Sequence, residues 1–181
     1  MRIQLKTNRL RICTLDASAA EQFRRYRERN FEFFKPYSPT YPEDLLSLDF
    51  ARTFLESAQN GGKDLLRFFV FSESDPKNAC ILGDITYSNI QRGVAQSCTL
   101  GYKIDQKIQG QGLMTEALAC TNAYIFSVQG LHRIEANILP DNLSSIRVVQ
   151  KLGFREEGIA HKLLKINGLW QDHLRFSLIN E

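Results

Sequence analysis

Residues 104–118 read Ile104-Asp105-Gln106-Lys107-Ile108-Gln109-Gly110-Gln111-Gly112-Leu113-Met114-Thr115-Glu116-Ala117-Leu118. A strand-like run ends at Ile104, two glycines punctuate a short loop, and an amphipathic pattern follows at once. Glycine lets the main chain approach a ligand closely and enter conformations that other residues avoid. The first turn of a helix leaves N–H groups without partners, and the helix dipole adds positive partial charge there. Strand, loop and helix start together form an anion site suited to a phosphate or diphosphate, and Lys107 adds a full charge beside it. Many helices begin with glycine, so the motif alone is weak. No Gly-Lys-Ser/Thr follows, which excludes a Walker A loop, and the third glycine of a dinucleotide fingerprint is absent. What remains is a diphosphate site without the parts for nucleotide hydrolysis or hydride transfer.

Outward from this stretch, Gln96 to Ile104 reads as a strand and Gly110 to Val128 as a helix, with Leu113, Ala117, Leu118, Thr121, Tyr124 and Ile125 on one stripe. Arg133 to Leu139 follows as a strand, then Asn142 to Leu152 as a helix ended by Gly153. In residues 155–181, Asn167-Gly168 sits between two strand-like runs and favours the type I′ turn of a hairpin. Towards the N-terminus, Leu66 to Ser72 and Cys80 to Asn89 are strand-like, and Leu45 to Gln59 is a helix stopped by Asn60-Gly61-Gly62. Pro36, Pro39 and Pro42 exclude regular structure after the aromatic run Phe31, Phe33 and Phe34. Asn8 to Leu15 alternates as a half-buried strand, and Asp16 caps a helix through Arg29. Such an order predicts a mixed α/β sheet in one domain over residues 1–181.

Composition narrows the function classes. With 181 residues, 43% hydrophobic and 24% charged, the chain is an ordinary globular one that buries roughly 70% of its unfolded surface. A net charge of +3 is too mild to argue for direct nucleic-acid binding. Arg24, Arg25, Arg27 and Arg29 are interleaved with Glu21 and Glu28 and read as a solvated helix face. Cys13, Cys80, Cys98 and Cys120 stand far apart, as buried hydrophobes in a reducing compartment. His132, His161 and His173 lack metal-ligand spacing, so no metal is expected. Neither a signal peptide nor a membrane-length apolar run is visible, which points to the cytoplasm. No heptads mark an oligomer, and monomer and homodimer stay open.

The motifs together resemble those of a known family. Gln109-Gly110-Gln111-Gly112-Leu113-Met114 resembles the Q/R-x-x-G-x-G/A signature of the GNAT acetyltransferases, with Met114 departing at the last position. Pro140-Asp141-Asn142-Leu143-Ser144-Ser145 followed by Lys151-Leu152-Gly153-Phe154 is similar to the P-x-N-x-x-S…LGF stretch of the same superfamily. Asn167-Gly168-Leu169-Trp170-Gln171-Asp172-His173 resembles the NGxWxDH tail of the ribosomal-protein-alanine acetyltransferases, the RimJ/RimL-like group. Asn8-Arg9-Leu10-Arg11 and Phe34-Lys35-Pro36 resemble that group too. The resemblance implies the GNAT fold, a mostly antiparallel sheet of about seven strands splayed in the middle and flanked by about four helices. It also implies acetyl-CoA as cofactor. The main chain of Tyr102, Lys103 and Ile104 would pair with the pantetheine arm, and the amides of Gln109, Gly110, Gln111, Gly112, Leu113, Met114 and Thr115 would hold the pyrophosphate. Asn142 would bond the arm, a role compatible with capping its helix, and Ser145 would protonate the departing thiolate. Ser145 can equally be one more polar residue in a first turn.

Two positions that carry a glutamate base in relatives of this group read here as Asn137 and Leu164, neither a proton acceptor. An α-amino group has a pKa near 7.7–8.0 and is partly neutral at cytoplasmic pH, whereas a lysine side chain near 10.4 needs more help. The missing base therefore favours a protein N-terminus, such as that of a ribosomal protein, as acceptor. Rival readings keep the chemistry with a small amine (a polyamine, amino acid or antibiotic), or drop it for an acyl-CoA-binding module.

Overall fold

The structure, a computed structural model, describes residues 3–60 and 64–181. Eight strands form one sheet in the order β1-β2-β3-β4-β5-β6-β8-β7. They are β1 (Gln4–Lys6), β2 (Leu10–Cys13), β3 (Leu66–Ser72), β4 (Gly83–Gln91), β5 (Ser97–Ile104), β6 (Arg133–Ile138), β7 (Arg155–Ile166) and β8 (Leu169–Ile179). Among the described residues five α-helices accompany them: α1 (Ala20–Arg29), α2 (Phe31–Phe34), α3 (Leu48–Asn60), α4 (Leu113–Ser127) and α5 (Leu143–Lys151). Among the described residues only β5 and β6 pair in parallel, and a parallel pair needs a crossover, which α4 supplies.

Two cores sandwich the sheet. Phe68 and Val70 of β3, with Ile134, Ala136 and Ile138 of β6, pack against α4 and α5. Phe69 and Phe71 point the other way, towards Phe23 and Tyr26 of α1 and Leu55 of α3. Burial on both faces explains why β3 reads as an unbroken apolar run. Period-two alternation on β6 leaves Glu135 and Asn137 on the face opposite the α4 core. Asn167 and Gly168, at φ +45° and +83°, make the turn joining β7 and β8, both residues being left-handed as a type I′ turn requires.

Several expectations are corrected. An additional strand, β1, pairs with β2, and β4 begins at Gly83 rather than Cys80. Pro36 sits in the first turn of a 3-10 helix, Lys35–Tyr37, where its missing N–H has no partner to lose, so the proline segment is partly regular after all. α4 starts at Leu113, because Gly110 and Gly112 take left-handed conformations that leave them in the loop. Its buried stripe includes Met114 and Asn122, while Leu113 and Tyr124 are half-buried. Tyr87 reaches into that stripe, its hydroxyl 2.6 Å from Asn122 Oδ1 and 2.8 Å from Thr121 Oγ1, which lets two polar side chains stay buried. The arginine face of α1 is only half solvated. Arg24 and Arg25 pair with Glu21, but Arg27 is buried over the rings of Phe23 and Tyr41, and Arg29 bonds Asp105. Cys80 is exposed in the loop before β4, unlike the buried Cys13 and Cys98. α3 begins at Leu48, three residues later than expected, and the Gly61-Gly62 stop lies outside the described residues.

Candidate active site

The sheet opens at its centre. β5 and β6 pair from Ser97↔Arg133 to Leu100↔Ala136 and then part. Beyond that point β5 stays with β4 as far as Ile104↔Gly83, and β6 stays with β8 as far as Ile138↔Leu174. From Gly101 to Ile104, the side of β5 that faces β6 therefore has no strand partner, an edge inside the sheet rather than at its rim. A bulge in β4 between Ser88 and Gln91, with Asn89 at φ +51°, adds local twist just upstream. Tyr102 spans the opening: its hydroxyl donates to the Ser145 carbonyl on α5 at 3.0 Å. Burial pushes the Tyr102 phenol up to about 12, so it remains a donor at neutral pH.

Where β5 ends, the main chain forms the loop expected from the sequence to cradle an anion. Asp105 accepts from the Lys107 amide at 3.0 Å and so caps the turn Gln106–Ile108. Arg29 Nε at 2.5 Å and Asn30 Nδ2 at 3.2 Å reach the other oxygen of Asp105 from the end of α1. Burial raises the Asp105 carboxyl, but these donors outweigh it and hold the group below its ordinary value. Past this anchor Gly110 and Gly112 stand at φ +75° and +72°, and Gly112 is an N-cap with no side chain to offer α4. Among the described residues none accepts from the amides of Gly110 to Thr115, which converge at the positive end of the α4 dipole. Gln109 to Gly112 are exposed, Leu113 and Thr115 half-buried, and Met114 buried. Met114 sends its side chain into the core beside Gly83, so it does not crowd the cradle.

Glu116, read from the sequence as stabilising the start of its helix, and Arg9, which the sequence did not single out, support this turn. Glu116 accepts from Thr7 Oγ1 at 2.6 Å, from the Arg9 amide at 3.1 Å and from Arg9 Nε at 2.6 Å. These bonds outweigh burial and keep the Glu116 carboxyl low. Arg9 Nη1 also donates to the Gln111 carbonyl at 3.0 Å, which places a guanidinium beside the bare amides. Glycine spacing signals the cradle but says nothing of a partner more than 100 residues upstream.

On the far side of the wedge, Asn142 caps α5. Its Oδ1 accepts from the Ser145 amide at 3.2 Å and from Ser144 Oγ at 2.9 Å, leaving the Nδ2 hydrogens for a ligand. Ser145 is half-buried, and its hydroxyl has no partner among the described residues. Tyr102, Asn142 and Ser145 thus meet at the wedge, whereas Lys103 points away from them. Its Nζ donates to Ser38 Oγ at 2.8 Å, near the rings of Phe34 and Tyr41. Burial, reinforced by Arg27 and opposed by Asp84, lowers the Lys103 amine to about 8.

That opposite face carries charge already committed. Glu135 accepts from Arg133 at 2.7 Å and from Arg175 at 3.4 Å. Asp172 receives the Lys162 amide at 2.8 Å and His161 Nδ1 at 3.0 Å, so it braces the β7 bulge, while Trp170 is exposed. Leu164 lies on β7 opposite Gln171, on the same hairpin. Two cavities of about 350 and 330 Å3 flank the hairpin turn, the first lined by Phe31, Tyr41 and Leu45, the second by Pro36, Leu139 and Asp141. Asn167 lines both and donates to the Ser38 carbonyl at 3.0 Å. Among the described residues no group of three His, Cys, Asp or Glu is placed to hold a metal, and no helix is long and apolar enough to cross a membrane.

A central wedge, a bare helix start at its end and polar side chains on its far wall thus lie along one side of β5. Comparison with known proteins identifies the family. The acetyltransferase (GNAT) domain family matches residues 9–155. The chain is 35% identical over 177 residues to the [ribosomal protein uS5]-alanine N-acetyltransferase of Escherichia coli (strain K12), covering 98% of this chain and 91% of that protein. Its fold superposes on the ribosomal-protein-S5-alanine acetyltransferase of Vibrio fischeri with a TM-score of 0.88 and 30% identity, covering 99% and 97% of the two chains. Mycobacterium smegmatis RimJ in complex with CoA-disulfide gives 0.86 at 25% identity, over 94% and 81%. The chain belongs to the GNAT acetyltransferase family, as an acyl-transferring enzyme whose cofactor is acetyl-CoA.

Proposed function

We propose that the enzyme acetylates the N-terminal α-amino group of a protein, with a ribosomal protein as the first candidate. One observation carries this reading: Glu135, the carboxylate on β6 next to the last β5–β6 pair, is not free to take a proton. Glu135 is held by two arginines, and its neighbour on that face is the amide Asn137. An acceptor must then arrive partly neutral, and an α-amine does so near neutral pH where a lysine side chain does not. The names of the relatives in Escherichia coli and Vibrio fischeri support the same acceptor class.

Acetyl-CoA supplies a thioester-activated acetyl group. In this reading the amides of Gly110 to Thr115 bind the pyrophosphate, while that of Gln109, expected to join them, is taken by the Gln106 carbonyl, and the free side of β5 from Tyr102 to Ile104 aligns the pantetheine arm as an added strand. Asn142 Nδ2 bonds the arm. Ser145 gives its hydroxyl proton to the sulfur as the C–S bond breaks, and the amine attacks directly with no enzyme-bound acyl group. Cys120 lies half-buried on α4, where burial raises its thiol, and is no nucleophile. Thiol release with an alanine-starting peptide, a polyamine panel and no acceptor tests the proposal. Turnover with the peptide alone is expected. Turnover with polyamines alone would move the acceptor to small amines, and tight CoA binding with no turnover would leave a binding module.

A further inference from the structure

The mouth of the wedge holds a polar atom without a partner. Asn137 is the first residue of β6 beyond the last β5–β6 pair, Leu100↔Ala136, and its side chain lies on the face away from the α4 core. Its Oδ1 is shielded from solvent, and among the described residues no donor reaches it. A buried carbonyl oxygen left unpaired is costly to keep, so a missing donor is implied. Gly101 is the first residue of β5 beyond the same pair and shares that face. A Cβ built on it would meet nothing within 4 Å, so open space lies beside the amide.

We propose that Asn137 is a positioning residue for the acceptor, its side-chain carbonyl receiving one N–H of an amine lodged over Gly101. The inference rests on the transfer reading above. The terminal torsion of asparagine is soft, and a turn about it brings the oxygen into the space over Gly101. One hydrogen bond from the amine then fixes where its lone pair points. An amide cannot take the proton, so the amine reacts neutral. The new N–C bond forms as the C–S bond breaks, the amine's surplus proton passes to water, and the sulfur is protonated from Ser145, which recovers its proton from solvent. Other charged or titratable groups on this face include Glu135, Arg133 and Arg175 on β6 and β8, Glu157 on β7, His173 on β8, Lys103 on β5, Asp84 on β4 and Arg67 on β3. The first three are tied to one another, and Asp84 receives the Tyr26 hydroxyl.

Asn137→Ala, Asn137→Asp and Gly101→Leu in the full chain test this with acetyl-CoA and an alanine-starting peptide. The alanine variant is expected to lose about tenfold in kcat/KM for the peptide while its acetyl-CoA affinity stays within about twofold. Its melting temperature should hold or rise, since an unpaired buried atom is gone. Asn137→Asp should pull the acidic limb of the pH profile below that set by the peptide amine, and Gly101→Leu should raise the peptide KM. An unchanged kcat/KM in Asn137→Ala overturns the proposal, as does a parallel fall in melting temperature, peptide turnover and acetyl-CoA affinity. Wild-type protein that binds acetyl-CoA but acetylates no amine overturns the transfer reading instead, and is visible in the same assay before any variant is made.

Discussion

Replacing Gly112 by glutamate puts a carboxylate at the entrance to the α4 cradle. The backbone there is left-handed, at φ +72°, so any side chain costs about 1–2 kcal/mol of stability. Space is not the obstacle, because the nearest atom to a built Cβ is Arg9 Nη2 at 3.8 Å, an ordinary contact. The charge is what matters. Two unit charges about 6 Å apart repel by about 3 kcal/mol at an effective dielectric of 20 and about 0.7 kcal/mol in bulk water. Arg9 stands beside the site and neutralises part of this, although its Nε is already committed to Glu116. About 2 kcal/mol remains, roughly a 30-fold rise in the Kd for CoA. Gly112→Ala carries the same backbone penalty without the charge, so the two variants should melt alike yet differ in affinity. Calorimetric titration of CoA into wild type and both variants measures the difference. Equal affinities in Gly112→Glu and Gly112→Ala would refute the assignment of the pyrophosphate to this turn.

Three further outcomes follow from the packing. Lys103→Met should stabilise the fold at pH 7 by about 2–3 kcal/mol, since burial lowers this amine from its ordinary 10.5 to about 8. Both states carry the proton below pH 8, so the burial penalty is full there. Between 8 and 10.5 the unfolded chain binds a proton the fold has shed, stability rises, and the advantage of the variant should vanish by the upper end. Urea melts at pH 7 and 10 check this, and a difference independent of pH would count against it. Tyr102→Phe removes the only bond described between β5 and the Ser145 carbonyl, and should cost about 1 kcal/mol while weakening CoA binding, as seen by thermal melts and calorimetry. Gly83→Ala puts a Cβ 2.6 Å from the Lys103 carbonyl and 3.2 Å from Met114 Cε, forcing β4 from β5, at about 1–3 kcal/mol in denaturant titrations.

Local pattern alone determined a good deal about this protein. β3 was legible as an apolar run, the β7–β8 turn as Asn167-Gly168, the α5 start as Asn142, and the loop before α4 as two glycines. Each depends on residues within one turn or one strand, where propensity and capping act through neighbours in sequence. Tertiary structure alone decided the rest. It joined Arg9 to Glu116 and Gln111, turned Arg27 and Arg29 inward from a face that reads as solvated, and set Tyr102 across the wedge on Ser145. It also sent Met114 into the core and ended the β5–β6 ladder at Leu100↔Ala136, which leaves Gly101 beside open space and Asn137 without a β5 partner. These contacts bring together residues tens to more than 100 positions apart, and their geometry is set by how the two cores close on the sheet, a property of the packed chain that no short window of sequence encodes.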